Sequence, residues 1–271
     1  MWTCRAMWTC CAMWTCRAVR TRQQPPPWLA AFVAFALALA ALPVTAAPVD
    51  VFAAASLRPV LQPLAAIWGR AHPEAPLRLT YGASGALAVQ MANGAPAAVF
   101  LAAHAGAIDG LRASGVISPL PGGVFAYNTL VLVGREAAGV RSMADLPRLK
   151  RIALGTPSQV PAGEYALAAL RAAGVLDKVQ SALVYAKDVR ACLLYAERGE
   201  VEGAFVYATD ALAAPSLPVR FAVPQALYPR VTYAYGVARA AADRPEVRAF
   251  AVFLASPAAR AELARQGFLT D

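Results

Sequence analysis

Five short segments place hydrogen-bond donors where a strand gives way to a helix. Ser56 follows the run 49–55, and Ser84 lies in TYGASGAL at 80–87. Ala162 follows Pro161 in VPAGEY, Val189 follows Asp188 in KDVRA, and Tyr207 closes the strand-like FVY before Ala208-Thr209-Asp210. The hydroxyls of Ser56, Ser84 and Tyr207 can donate, as can the amides of Ala162 and Val189. A helix N-terminus offers N–H groups without intrahelical partners and the positive end of a dipole, so the set has the chemistry of an anion site. Each residue also has a plainer use. Serine is a favoured N-cap, and Asp188 and Asp210 are natural caps. A buried tyrosine is often core with an incidental partner.

Other chemistries find less support. YGASGA is a near miss to a nucleophile elbow, with Ala86 where the second glycine belongs. Only His72 and His104 could serve as a base, and His72 sits in the turn-like AHPEAP. Under hydrolysis, loss of Ser56 would abolish activity; under anion binding it would only weaken affinity. No paired acids, phosphate loop or metal-spaced cluster appears. The net charge of +9 is spread over scattered arginines without a basic block, which argues against nucleic acid.

The elements that must hold these donors alternate. Strands are expected at 49–54, 76–81, 97–102, 124–133, 151–155, 182–186, 203–208, 219–223 and 231–238. Helices are expected at 57–70, 84–93, 105–113, 143–147, 162–173, 189–199, 244–254 and 257–266. Such alternation predicts an α/β fold of mostly parallel sheets flanked by helices. Pro63 should loosen or kink the first helix. The apolar content of 59% against 15% charged residues supports a sizeable core. FAYNTLVLV at 125–133 could run from one sheet into a second, and 230–240 could run back. This predicts a first lobe of 47–126 plus 235–271 and a second of 127–234, with the ligand in the cleft outside the strand C-termini.

The N-terminus reads separately. Residues 1–18 are three hexads, MWTCRA, MWTCCA and MWTCRA, expected to be translated repeat DNA ahead of a start near Val19 rather than native structure. A metal-binding use of Cys4, Cys10, Cys11 and Cys16 is the other reading. Residues 19–46 follow a signal-peptide pattern: Arg20 and Arg22, an apolar run over 28–42, and Val44-Thr45-Ala46 before cleavage. No lipobox cysteine follows, so export to a bacterial periplasm as a soluble chain is expected. Arg5, Arg17, Arg20 and Arg22 would leave with this leader. Cys192 would then stand alone and reads as a small core residue.

The segments FAAASL, the glycine–serine loop, GAP at 94–96, VPAG-Y-A, DVR, VYATDA and a terminal GF stand in one order along the chain. In that order and spacing they resemble the periplasmic molybdate-binding proteins, the ModA-type members of the two-lobed class II binding proteins. The likeness spans essentially all of 47–271. It implies a periplasmic binding protein type II fold and a receptor, not an enzyme, with no cofactor. It implies binding of molybdate and tungstate and delivery to an inner-membrane ABC permease. Carried over, the oxyanion would be held by the hydroxyls and amides of Ser56 and Ser84, the amides of Ala162 and Val189, and the hydroxyl of Tyr207, with no direct metal ligand. A monomer is expected.

Molybdate at neutral pH is a dianion with four acceptor oxygens and no proton, so only donors are needed and carboxylates should be absent from the contact set. Charge-assisted hydrogen bonds contribute about 1.5–3 kcal/mol each. After the cost of ordering and closing two lobes, a dissociation constant of roughly micromolar to 10 nM follows. Sulfate would be separated by cavity size, whereas tungstate would not. Phosphate is disfavoured because its remaining proton wants an acceptor. Two positions depart from the family: Ala98 and His104 stand where acids are usual, which bears on the packing of that strand end. A histidine near the cleft could add positive charge as pH falls; its plain reading is an exposed helix start. A receptor for sulfate, thiosulfate or a small organic anion on the same fold is the alternative. A regulator's sensing module fits poorly with an export signal.

Overall fold

The computed structural model describes residues 47–270 apart from 136 and 138. The hexad repeat and the leader, 1–18 and 19–46, lie outside the described residues. The elements in chain order are β1 (Val49–Ala54), α1 (Arg58–Ala71), β2 (Leu77–Gly82), α2 (Ser84–Ala92), β3 (Val99–Ala102), α3 (Ala105–Ala113), β4 (Ile117–Asn128) and β5 (Leu130–Val133). They continue with β6 (Ile152–Gly155), α4 (Pro161–Ala172), a turn α5 (Leu176–Val179), β7 (Leu183–Ala186), α6 (Val189–Glu197), β8 (Gly203–Tyr207), a short α7 (Ala208–Leu212), β9 (Val219–Ala222), β10 (Val231–Ala238), α8 (Pro245–Leu254) and α9 (Pro257–Arg265).

Two five-stranded sheets result, ordered β2-β1-β3-β10-β4 and β7-β6-β8-β5-β9. In the first, β1 runs parallel to β2 and β3, while β10 runs antiparallel to β3 and β4. In the second, β6 runs parallel to β7 and β8, and β5 runs antiparallel to β8 and β9. The central strands β3, β5, β6 and β8 are buried along their whole length. They therefore read as continuous apolar runs rather than alternations.

The stretch expected as one strand over 124–133 is two strands. Asn128 Oδ1 accepts from the Thr129 amide at 2.9 Å, and the Thr129 carbonyl accepts from the Ala208 amide. The chain thus leaves one sheet and enters the other at a single residue. Divisions at 126/127 and 234/235 would cut through β4 and β10, because Tyr127 and Asn128 still pair with β10 and Val231–Ala234 still pair with β4. The sheets change instead at Thr129 and between β9 and β10. β4 also begins earlier than the expected 124, at Ile117, and so takes in Pro119 and Pro121. It is an edge strand, where proline's missing N–H is tolerated.

Helix α1 runs unbroken through Pro63, with Pro59 in its first turn, in place of the expected kink. Its buried face of Val60, Leu61, Leu64 and Trp68 holds it against the sheet. Trp68 Nε1 donates to the Ala75 carbonyl at 2.7 Å, and its ring meets Phe250 edge-on at 5.3 Å. The amide and carbonyl of Leu269 pair with those of Tyr127 at 2.8 and 3.0 Å, which ties the chain end to β4 and the first sheet. Among the described residues no helix is long and apolar enough to cross a membrane.

Candidate functional site

The C-terminal ends of β1, β2, β6, β7 and β8 face one small cavity, lined by Ala54, Ala55, Ser56, Gly82, Ala83, Ser84, Ala103, Val160, Pro161, Ala162, Asp188, Val189 and Tyr207. All five residues singled out in the sequence are brought together there. The remaining wall is mostly alanine, glycine and proline, small enough to let backbone amides approach a ligand.

Neither serine caps a helix. Ser56 lies inside a 3-10 turn, Ala55–Leu57, and α1 begins after Leu57 without a side-chain cap. Ser84 is the first residue of α2, with Ala83 at the cap position. Their oxygens are occupied from behind instead. Ser84 Oγ accepts from the Ala103 amide at 3.0 Å, and Ser56 Oγ accepts from the Tyr233 hydroxyl at 2.9 Å. An oxygen that accepts there keeps its own proton available for the cavity. Both serines are almost fully buried, at 2% and 1% exposure.

Ala162 follows Pro161 in the first turn of α4. Val189 opens α6, whose cap Asp188 accepts from the Ala191 amide at 2.8 Å. The amides of Ala162 and Val189 fall among the leading N–H groups that have no acceptor within their own helix. Asp188 also lines the cavity. The reason is its capping role, which places it beside Val189 and turns Oδ1 onto its own helix.

Tyr207 is 1% exposed, and its hydroxyl has no partner among the described residues. Burial, followed by the neighbouring Tyr233, pushes its phenol well above the ordinary value, so it remains a donor. A buried hydroxyl without a partner is rare in a folded protein; this one belongs to a cavity-lining residue. Asp210 lies behind it, fully buried. Its Oδ2 accepts from the Tyr207 amide at 3.3 Å, and its Oδ1 pairs with Arg190 Nη1 at 3.3 Å. Burial raises this carboxyl to about 6 against the opposing pull of Arg190.

Ala98 is buried in the strand end, its amide donating to the Asp50 carbonyl and its carbonyl accepting from the Ala238 amide. His104 is half-buried at the cap position of α3 without capping it. It lines an adjoining cavity with Ser84, Gly85, Gln159 and Glu164, its ring edge-on to Tyr165 at 5.9 Å. It borders the site rather than entering it. His72 stacks on Trp68 at 3.9 Å, outside the cavity lining. The hydrogen bonds of Ser56 and Ser84 go to Tyr233 and a backbone amide, not to a histidine base. Cys192 is fully buried, as a small core residue.

Two participants were not singled out in the sequence. Tyr233 reaches Ser56 from β10, and Asn128 reaches Tyr233 from β4. Their sequence signal is only a tyrosine and an asparagine within apolar strands, and their contacts cross more than a hundred positions.

Residues 49–269 match the family of bacterial extracellular solute-binding proteins. The chain is 31% identical to the molybdate-binding protein ModA of Haemophilus influenzae, over 82% of this chain and 90% of that one. It is 30% identical to the molybdate-binding protein ModA of Escherichia coli, over 81% and 88%. The periplasmic molybdate-binding protein of Azotobacter vinelandii superposes with a TM-score of 0.75 at 22% identity, covering 82% of this chain and 99% of that one; that likeness is one of fold.

Proposed function

The chain belongs to the bacterial extracellular solute-binding protein family and is ModA-type within it, and we propose that it captures molybdate, with tungstate as an equivalent ligand. The observation that carries this reading is the set of residues lining the cavity. Ser56, Ser84, Ala162, Val189 and Tyr207 line one small space, and their hydroxyls and first-turn amides are the donors such an anion would use. A fully deprotonated tetrahedral dianion offers acceptors only and matches such a set. The two ModA relatives, molybdate-binding by name, favour molybdate over other oxyanions.

The two sheets act as the two lobes of a type II binding protein, joined at Thr129 and at the segment between β9 and β10. The closed, loaded form is read by an inner-membrane ABC permease after export to the periplasm, and the receptor works as a monomer. A thermal-shift titration at pH 8 with molybdate, tungstate, sulfate and phosphate tests the ligand. Ligand at a hundred times its dissociation constant adds about 2.7 kcal/mol of stability. A rise with molybdate and tungstate alone is expected. A rise with sulfate and none with molybdate refutes the assignment.

A further inference from the structure

The direction of the Ser56 hydroxyl is fixed from outside the cavity. The Thr129 backbone amide lies 2.9 Å from Asn128 Oδ1. A backbone amide can only donate, so the side-chain oxygen of Asn128 must face it and the side-chain nitrogen must face away. That nitrogen donates to Thr209 Oγ1 at 2.8 Å and, more weakly, to Tyr233 Oη at 3.5 Å. With a donor on that side, the phenol proton of Tyr233 points to Ser56 Oγ, 2.9 Å away. Ser56 is thereby an acceptor toward Tyr233 and a donor toward the cavity. Asn128, Tyr233 and Ser56 are all 2% exposed or less, so water does not scramble the order. On the other wall the Ala103 amide fixes Ser84 in the same sense.

We propose that Tyr233, oriented by Asn128, is a specificity-determining residue that makes Ser56 donor-only and so biases the cavity against tetrahedral dianions that carry a proton. This rests on the oxyanion reading of the cavity. A protonated anion brings one O–H that needs an acceptor. With Ser56 and Ser84 both committed as donors, neither serine can accept that O–H, and a buried polar group with fewer acceptors to choose from binds less well. Asp188 is the carboxylate on the lining, and its Oδ1 is engaged by the Ala191 amide. Tyr233 acts through Ser56 and is a positioning residue; its removal frees a serine lone pair for the ligand.

Calorimetry at pH 8 with molybdate and hydrogen arsenate tests this on the full chain. Both are dianions, and only the second carries a proton, so the ratio of the two affinities is insensitive to net charge. Wild type prefers molybdate. Tyr233→Phe is expected to weaken molybdate about tenfold and to narrow the molybdate-to-arsenate ratio by about tenfold. In a Ser56→Ala background the same substitution changes molybdate affinity less than about twofold, because the two act as one unit. An unchanged ratio in Tyr233→Phe, or an equal loss with and without Ser56, overturns the proposal. Should Tyr233→Phe not fold, Asn128→Asp replaces it. A carboxylate there accepts from the phenol and turns the relay around, so the ratio narrows again; an unchanged ratio overturns the proposal. Failure of wild type to bind either anion refutes the oxyanion reading and this inference with it. Molybdate binding with an unchanged ratio refutes this inference alone.

Discussion

The amide of Gly85 donates to the carbonyl of Gln159 at 2.9 Å, joining the helix after β2 in one sheet to the loop after β6 in the other. A Cβ on residue 85 would stand 2.8 Å from both the Cα and the carbonyl oxygen of Gln159. Such contacts are essentially never seen, and the obstacle is backbone rather than a flexible side chain. The two residues flank the cavity: Ser84, next to Gly85, and Val160, next to Gln159, line it. Gly85→Ala should therefore hold the two sheets apart. Molybdate affinity is expected to fall at least about tenfold, mainly through faster release, with the ligand-free melting temperature little changed. Stopped-flow release kinetics beside a melting curve check this. An unaltered release rate would show that the contact does not gate the site.

Tyr207→Phe should move stability and binding in opposite directions. The hydroxyl is buried without a partner among the described residues, and its deletion relieves an unsatisfied group of roughly 1 kcal/mol or more. The ligand-free protein should melt no lower than wild type. Binding loses one charge-assisted donor, about 1.5–3 kcal/mol, or roughly 10- to 100-fold in dissociation constant. A variant less stable yet unimpaired in binding would contradict the placement of this hydroxyl.

Asp210 should leave a mark on stability between about pH 4 and 6. Burial raises its carboxyl from 3.8 to about 6 in the folded chain. The folded state then binds a proton more readily than the unfolded state in that window, so this group's contribution falls as pH rises through it and levels off above. The full change is on the order of 3 kcal/mol. Asp210→Asn lacks this slope. The difference in unfolding free energy between the two proteins, measured by urea at pH 4, 5, 6 and 7, should grow in favour of the variant and then flatten. A constant difference across the series would mean that Arg190 holds the carboxyl at its ordinary value.

The Cys192 thiol is fully buried, and burial, followed by the Asp188 charge, raises its pKa well above the ordinary value. Thiolate is the reactive form. Native protein should resist alkylation by iodoacetamide at pH 8 and label at this position only in denaturant, which mass spectrometry of the tryptic peptide resolves. Prompt native labelling would place the thiol at the surface.

The five residues that line the cavity could be singled out because each sits at a strand-to-helix junction, and such junctions announce themselves by small residues, proline or an acidic cap. The bounds of β10, Val231–Ala238, are those expected from the sequence. What was not legible depends on distance along the chain. Tyr233 and Ser56 are 177 positions apart, and Asn128 and Tyr233 are 105 apart. No local periodicity reports that a phenol in one strand orders a hydroxyl at the end of another. The first part of β4 was hidden for a different reason. Its prolines and glycines carry turn preferences that the edge position overrides. The serines were legible as helix-start residues but not as non-capping ones, because the 3-10 turn at Ala55–Leu57 shifts the start of α1 past Ser56.

The two strand orders, β2-β1-β3-β10-β4 and β7-β6-β8-β5-β9, become one order when β6, β7, β8, β5 and β9 are written for β1, β2, β3, β10 and β4. The donors obey the same exchange. Ser56 after β1 answers to Ala162 after β6, and Ser84 after β2 to Val189 after β7. Tyr207 at the end of β8 answers to Ala103 after β3, whose amide is turned onto Ser84. The residues that line the cavity thus fall into pairs related by the same exchange of strands. A tetrahedron has twofold axes of its own, each dividing its four vertices into two pairs. A tetrahedral anion held between the two sheets would match that pairing, with one pair of oxygens for each.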